Sequence, residues 1–330
     1  MFEAVISLCM GLQNSVCRDA LLPGYEAPTR TACLMDVPPG ARCQKMADSM
    51  VFGEVAPGVF VHVGLVEEPD TSNLGDVSNF GFVIGNDAVA VIDTGAAAWI
   101  GEDIWRAIRS RTDKPISHVV LTHMHPDHVL GASIFPEAEI VGHHSLPRAL
   151  ADRRENYLQS LERLIGAEAF LGTDTPTVTM TVESEVEIDL GGRILTLQAW
   201  PSAHTGSDLT VLDVQTGTLF AGDLMFHRHT PALDGKLRGW QSVLTELQDI
   251  PAARVVPGHG DASLPWPMSA EALERYLHVL AEDTLAAIAA GERLGDAVKH
   301  IAQSEEPHWE LFHSYNPRNA TVAFTELEWE

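Results

Sequence analysis

Thr122-His-Met-His-Pro-Asp-His-Val-Leu-Gly131 puts four metal-competent side chains, His123, His125, Asp127 and His128, within six positions. The residues leading into it, His118-Val-Val-Leu-Thr122, read as a short buried strand, and a short helical stretch follows. The donors therefore sit on a loop at a strand end. Imidazoles at 123 and 125 address one cation in an extended turn. Pro126 fixes φ and turns the chain, so Asp127 and His128 address a second cation beside the first. Nitrogen with carboxylate ligation suits zinc and equally suits iron or manganese. Taken singly, Asp127 reads as a helix N-cap and an isolated histidine as structural. Four donors together after a buried strand argue instead for a metal site.

Downstream residues are expected to complete the shells. Leu197-Gln-Ala-Trp-Pro-Ser-Ala-His204, Leu219-Phe-Ala-Gly-Asp223 and Val255-Val-Pro-Gly-His259 each end a strand on a donor. Loops at strand ends are where binding groups collect on a rigid scaffold. By chemistry, His123, His125 and His204 give a three-nitrogen site with an open position. Asp127, His128 and His259 give a second site, and Asp223 bridges with one oxygen to each cation. His227 and His229 are candidates for the substrate mouth, with surface histidines the competing reading. Asp234 either supports the site or is a turn residue before Gly235. His143-His144 read as supporting or structural, and His278, His300, His308 and His313 as non-functional.

Further outward, strands are expected at Val59–Val63, Phe80–Ile84, Ala88–Ile92, Val182–Leu190, Arg193–Ala199, Leu209–Val214, Gly217–Ala221 and Ala253–Val256. Helical spacing marks Ala96–Arg111, Leu146–Ile165 (with Leu150, Tyr157, Leu158, Leu161 and Leu164 on its apolar face), Trp240–Ile250, Ser269–Ala290 and Leu294–Gln303. The alternation of strands and helices indicates one layered α/β domain over residues 51–330 with C-terminal helices, the tail packing against it.

All four cysteines, Cys9, Cys17, Cys33 and Cys43, fall in the first 45 residues. They mark residues 1–50 as a small extension stapled by disulfides, which need an oxidising compartment. Three pairings are open, of which Cys9–Cys17 with Cys33–Cys43 is the most local. Reduced cysteines in a helical extension are the bland alternative, and no Cys-x-x-Cys pair supports a metal. The start lacks the positive region of a signal peptide, which leaves a cytoplasmic chain or a mature periplasmic one. No window of about 20 residues is continuously apolar, so no membrane span is expected. With 21 basic and 46 acidic residues among 330, the formal charge is −25, which disfavours nucleic acid and anionic lipid as partners. A small molecule is the expected substrate.

These residues resemble the metallo-β-lactamase superfamily, whose His-x-His-x-Asp-His motif and later His, Asp and His match the seven positions in order. The resemblance implies a four-layer αβ/βα sandwich with the metals at one edge of both sheets. It also implies that Asp93, in Ile92-Asp-Thr-Gly95, orients the metal loop. Asp at 223 resembles glyoxalase II-like hydrolases, and His at 125 departs from the Glu of flavo-diiron oxidoreductases. More narrowly, Cys17-Arg-Asp-Ala-Leu-Leu-Pro-Gly-Tyr25, Gly222-Asp-Leu-Met-Phe226, Asp234-Gly235 and Gly239-Trp240 look like the quinoprotein relay system zinc metallohydrolases. Those are exported and associated with quinoprotein dehydrogenase systems, which implies a functional link and a periplasmic location. The expected chemistry is hydrolysis of an ester, thioester, lactone or amide. Two Zn2+ share a hydroxide nucleophile, with Asp127 and Asp223 as the catalytic carboxylates. Two alternatives stay open: an iron-dependent oxidoreductase like the persulfide dioxygenases, and a metal-binding accessory protein of a quinoprotein system.

Overall fold

The computed structural model describes residues 1–11 and 16–329. The chain opens with a small sheet of β1 (Phe2–Met10), β2 (Val16–Ala27) and β3 (Arg42–Lys45) in the order β2-β1-β3, both pairs antiparallel. Cys9 faces Cys17 across the hairpin and the two are bonded. Cys33, on the short helix α1 (Arg30–Asp36), is bonded to Cys43 on β3. With Ala4 these last two cysteines form a small buried centre, partly buried neighbours such as Phe2 and Tyr25 packing around it. Polar contacts fasten it to helix α2 (Ala98–Arg109) of the main body. Fully buried Glu3 accepts from Arg106 Nε at 2.9 Å, and Arg18 lies 2.8 Å from Glu102. Residues 1–50 are thus a sheet with a short helix, not a helical extension.

The body contains two sheets. The first runs β10-β9-β8-β7-β6-β5-β4, where β4 is Gly53–Ala56, β5 Val59–His62, β6 Phe80–Ile84, β7 Val89–Ile92, β8 Ile116–Leu121, β9 Glu139–His143 and β10 Met180–Val182. The second runs in sequence order through β11 (Glu185–Asp189), β12 (Ile194–Ala199), β13 (Leu209–Asp213), β14 (Thr218–Phe226), β15 (Arg254–His259) and β16 (Leu264–Pro265). Strand side chains alternate between faces, and the sequence uses that period to make three apolar layers. Ala90, Ile92 and Val120 meet Leu195, Leu197, Val211 and Phe220 between the sheets. Val89, Val91, Val119 and Leu121 face α2 and α4 (Leu146–Ile165) on one outer side. Beyond the short helix α5 (Ala167–Phe170), Leu219, Ala221 and Val255 face α6 (Leu237–Gln248), α7 (Glu271–Ala289) and, past α8 (Leu294–Ala297), α9 (Phe312–Leu327) on the other. The result is the four-layer αβ/βα sandwich.

Three expectations need correction. Val182–Leu190 is not one strand. Exposed Glu183-Ser184 marks the crossing where the chain leaves β10 in the first sheet and enters β11 in the second. On α4 the buried stripe is Leu146, Leu150, Tyr157, Leu161 and Ile165, while Leu164 is exposed, because it lies on the flank of a stripe stepping by four. The second C-terminal helix, expected over Leu294–Gln303, ends at Ala297, and Ala302 takes a left-handed φ of 57°. No helix among the described residues is long and apolar enough to cross a membrane.

Candidate metal centre

β8 delivers the chain to the loop carrying His123 and His125, and the single turn α3 (Pro126–Val129) follows, with Pro126 at its start. Asp93, at the end of β7, holds that loop. Its carboxylate accepts from Thr122 N, Thr122 Oγ1 and His128 Nδ1, each at 2.8 Å. It does so from a left-handed φ of 56°, a conformation that persists only where the surroundings over-determine it. Thr94 also fixes the His128 carbonyl, through its backbone N–H at 2.7 Å and its hydroxyl at 3.1 Å.

The second sheet contributes the other three donors. His204 follows β12, Asp223 lies within β14 and His259 closes β15. Asp223 fits because residue 258 is glycine: a Cβ there would lie 1.9 Å from Asp223 Oδ1. Asn79 clamps the same turn, donating from Nδ2 to the carbonyls of Pro257 (2.9 Å) and Gly260 (3.1 Å).

The seven donors converge as two groups: His123, His125, His204 and Asp223; and Asp127, His128 and His259. Asp223 touches both. Its Oδ2 lies 3.6 Å from His123 Nε2, 3.4 Å from His204 Nε2 and 3.5 Å from His259 Nε2, and its Oδ1 lies 3.2 Å from His128 Nε2. Asp127 Oδ2 lies 3.4 Å from His259 Nε2 and 3.6 Å from His128 Nε2.

Each imidazole is fixed from behind, as metal-ligating histidines are. His128 Nδ1 donates to Asp93, His204 Nδ1 to the Ala232 carbonyl (2.5 Å), His259 Nδ1 to the Val77 carbonyl (2.8 Å) and His125 Nε2 to Asp234 Oδ2 (3.2 Å). Thr122 Oγ1 gives its proton to Asp93, so it accepts from His123 Nδ1 at 3.0 Å. These bonds leave one ring nitrogen of each imidazole aimed inward. Among the inward atoms, His123 Nε2, His128 Nε2 and Asp223 Oδ1 are buried without a hydrogen-bond partner. Buried polar atoms are rarely left unpaired, so the donor set fits cations.

The two groups differ electrically. Burial holds His123 and His204 neutral, driving the pKa of His204 down to about 3. Burial acts the same way on His128 and His259, but Asp223 and Asp127 outweigh it and raise both, His259 to about 9. A neutral nitrogen face thus adjoins a carboxylate-rich one.

A cavity of about 450 Å³ opens over the donors, lined among others by Asp127, Asp223, His229, Asp234 and His259. His229 stacks against His259 with ring centroids 4.7 Å apart, and Asp234 holds His125. His227, expected at the mouth, does not line it: its Nδ1 lies 3.7 Å from Asp261, outside the cavity. His143 is structural, its Nε2 donating to the Trp200 carbonyl (3.1 Å), and His144 is half-exposed near Glu183. Sequence reasoning missed Thr122, Asn79 and the cavity wall formed by α4 and α9. Only the glycines flanking His259 signalled the close approach there.

The metallo-beta-lactamase superfamily model matches residues 74–259, a span that includes all seven donors. The chain belongs to the metallo-beta-lactamase superfamily. The N-terminal sheet and the C-terminal helices lie outside the matched span. A curated relative, the beta-lactamase-like protein 2 homolog of Caenorhabditis elegans, is 26% identical over 155 residues, which are 47% of this chain and 46% of that protein. The chain thus spans about half the length of that relative. Among solved structures, a metallo-beta-lactamase from Pontibacter korlensis is similar with a TM-score of 0.56 at 20% identity, covering 70% of this chain and 99% of that one. The sec-alkylsulfatase Pisa1 from Pseudomonas sp. is similar with a TM-score of 0.64 at 15% identity, covering 84% and 50%. At these identities the likeness is one of fold.

Proposed function

We propose that this superfamily member is a hydrolase that uses two metal ions, zinc in the first instance, to cleave an ester, thioester, lactone or amide. The observation that carries this reading is the convergence of seven donors in two groups that share Asp223, more than one tetrahedral ion requires. Bound metals would supply Lewis acidity and a water acidified toward neutral pH.

The chain's own residues do the rest. His123, His125 and His204 would hold one ion and Asp127, His128 and His259 the other, with Asp223 within reach of both groups. Asp127, whose side chain is one-fifth exposed to the cavity, accepts a hydrogen bond from the attacking water and orients it. Phe226 stacks on His259 (5.3 Å) and Trp240 packs edge-on to His204 (5.3 Å), closing the rear of the site to solvent. The cavity admits a small molecule from the α4 and α9 side. The two disulfides suit an oxidising compartment, where we place the protein.

Metal analysis of the purified chain, followed by a screen of thioesters, lactones and β-lactams on the same sample, tests the reading. We expect about two metal ions per chain, with hydrolysis lost on chelation and restored by zinc. A stoichiometry that stays near one in metal-replete buffer overturns the binuclear centre. Iron content with oxygen consumption would replace hydrolysis by redox chemistry.

A further inference from the structure

The cavity wall facing the donors is built from one face of α4, carrying Arg153, Asn156, Tyr157 and Ser160, and one face of α9, carrying Tyr315 and Asn319. Most polar groups on this lining have a protein partner. Asn319 Nδ2 donates to the Pro231 carbonyl (2.6 Å) and Tyr276 Oη (2.7 Å), His229 Nδ1 to the Thr230 carbonyl (2.6 Å), and Arg153 lies 3.3 Å from Asp234. Among the buried polar groups of these two helix faces, Tyr157 is the exception. The residue is 9% exposed and its hydroxyl is buried, yet that hydroxyl has no hydrogen-bond partner.

Its position makes the omission informative. Tyr157 belongs to an α4 stripe otherwise made of Leu146, Leu150, Leu161 and Ile165, where phenylalanine would pack as well and carry no unpaired hydroxyl. Burial, with Asp234 and Asp127 nearby, raises its pKa well above the ordinary phenol value, so the hydroxyl keeps its proton. A phenol in this state is a donor on a residue that lines the same cavity as Asp127, Asp223 and His259.

We infer that Tyr157 is a substrate-contacting residue whose hydroxyl donates a hydrogen bond to an acceptor oxygen of the molecule bound in the cavity. This rests on the metal-hydrolase reading above, because that reading identifies the cavity as the substrate site. Hydrolysable carbonyl compounds carry such oxygens at the scissile group and in the departing anion. The helix α4 is then part of the specificity apparatus, although it contributes no metal donor.

The test uses the full-length, metal-loaded chain and three hydroxamate probes: acetohydroxamate, and the monohydroxamates of succinate and glutarate. All three bind metal through the hydroxamate group, and the succinate and glutarate derivatives also extend a carboxylate across the cavity. Calorimetric Kd, metal content and Tm are compared for the parent chain and Tyr157→Phe. The expected result is at least a tenfold weaker Kd for one or more probes, the scale of a hydrogen bond to an acceptor oxygen. Metal content should be unchanged and Tm unchanged or higher, since the variant removes an unpaired buried group. Equal Kd values for all three probes overturn the inference. So does a Tm fall of several degrees, because it would show that the hydroxyl has a structural partner. Failure of every probe to bind the parent chain has a different meaning: it overturns the metal-centre reading itself.

Discussion

The loop after β8 carries four donors in six positions, whereas His204, Asp223 and His259 stand on three different strands of the other sheet. The first group is held by its own neighbourhood: Asp93 binds Thr122 and His128 together, and Pro126 starts the turn between His125 and Asp127. The second is held by long-range contacts, with backbone carbonyls at Ala232 and Val77 and the close approach of Gly258 to Asp223. A compact motif can preorganise its half of a site before the sheets meet. The dispersed half exists only once they have packed, so the complete centre reports on the whole sandwich.

The largest expected effect comes from the residue that touches both donor groups. Asp223→Ala should lower turnover by roughly 10²-fold or more, the scale on which misplaced catalytic groups act, and weaken the metal held by Asp127, His128 and His259. Its thermal unfolding should stay close to the parent, since Asp223 adds little apolar burial. Near-normal hydrolysis with both metals retained would remove Asp223 from the bridge. His204→Ala should instead weaken the ion at His123 and His125, so metal analysis of the two variants distinguishes the halves.

Next is the support of the local half. Asp93→Asn keeps a residue tolerant of the left-handed backbone but removes the charge opposite His128. A loss of roughly 10–100-fold in metal affinity is expected, as for other partners of metal-ligating histidines. Affinity equal to the parent would show that the motif orients itself without Asp93. Its counterpart in the dispersed half is Asn79→Ala, which leaves two buried carbonyls without their donor. We expect a stability loss of about 1–3 kcal/mol in denaturant titration and weaker retention of the ion bound by His259.

The smallest effect on activity should come from outside both halves. Reducing Cys9–Cys17 and Cys33–Cys43 should loosen the N-terminal sheet by about 2–4 kcal/mol per bond, read as faster amide exchange in β1 and β2. Hydrolysis should be unaffected. A parallel loss of activity would tie that sheet to the centre through Glu3, Arg106 and α2.

The same contrast sets what could be read in the sequence. Four donors in one loop form a pattern visible without a fold, and the three later donors were legible because each ends an apolar strand run. The apolar runs Val89–Ile92 and Val119–Leu121 likewise read as strands of a layered α/β domain. Other features had no local signal. The crossing at Glu183-Ser184 is a change of sheet inside a continuous strand-like run, and only the tertiary partners reveal it. His227 lies four residues after Asp223 and seemed to share its site by proximity, but the backbone turns its ring toward Asp261. Tyr157 matched an apolar stripe, and nothing in helical spacing shows that its hydroxyl faces a cavity.

Asn319 of α9 accepts from Leu233 N (2.9 Å) and donates to the Pro231 carbonyl, while Tyr276 of α7 ties to both Asn319 and Asn316. The segment before Asp234 is therefore hung from the C-terminal helices, outside the span matched to the superfamily. On the proposed reading, the cavity wall of α4 and α9 shares no residue with the metal donors. A lineage could retune what the proposed hydrolase accepts by redrawing its last helix and α4, leaving every metal donor untouched, so substrate preference would be inherited more loosely than the reaction.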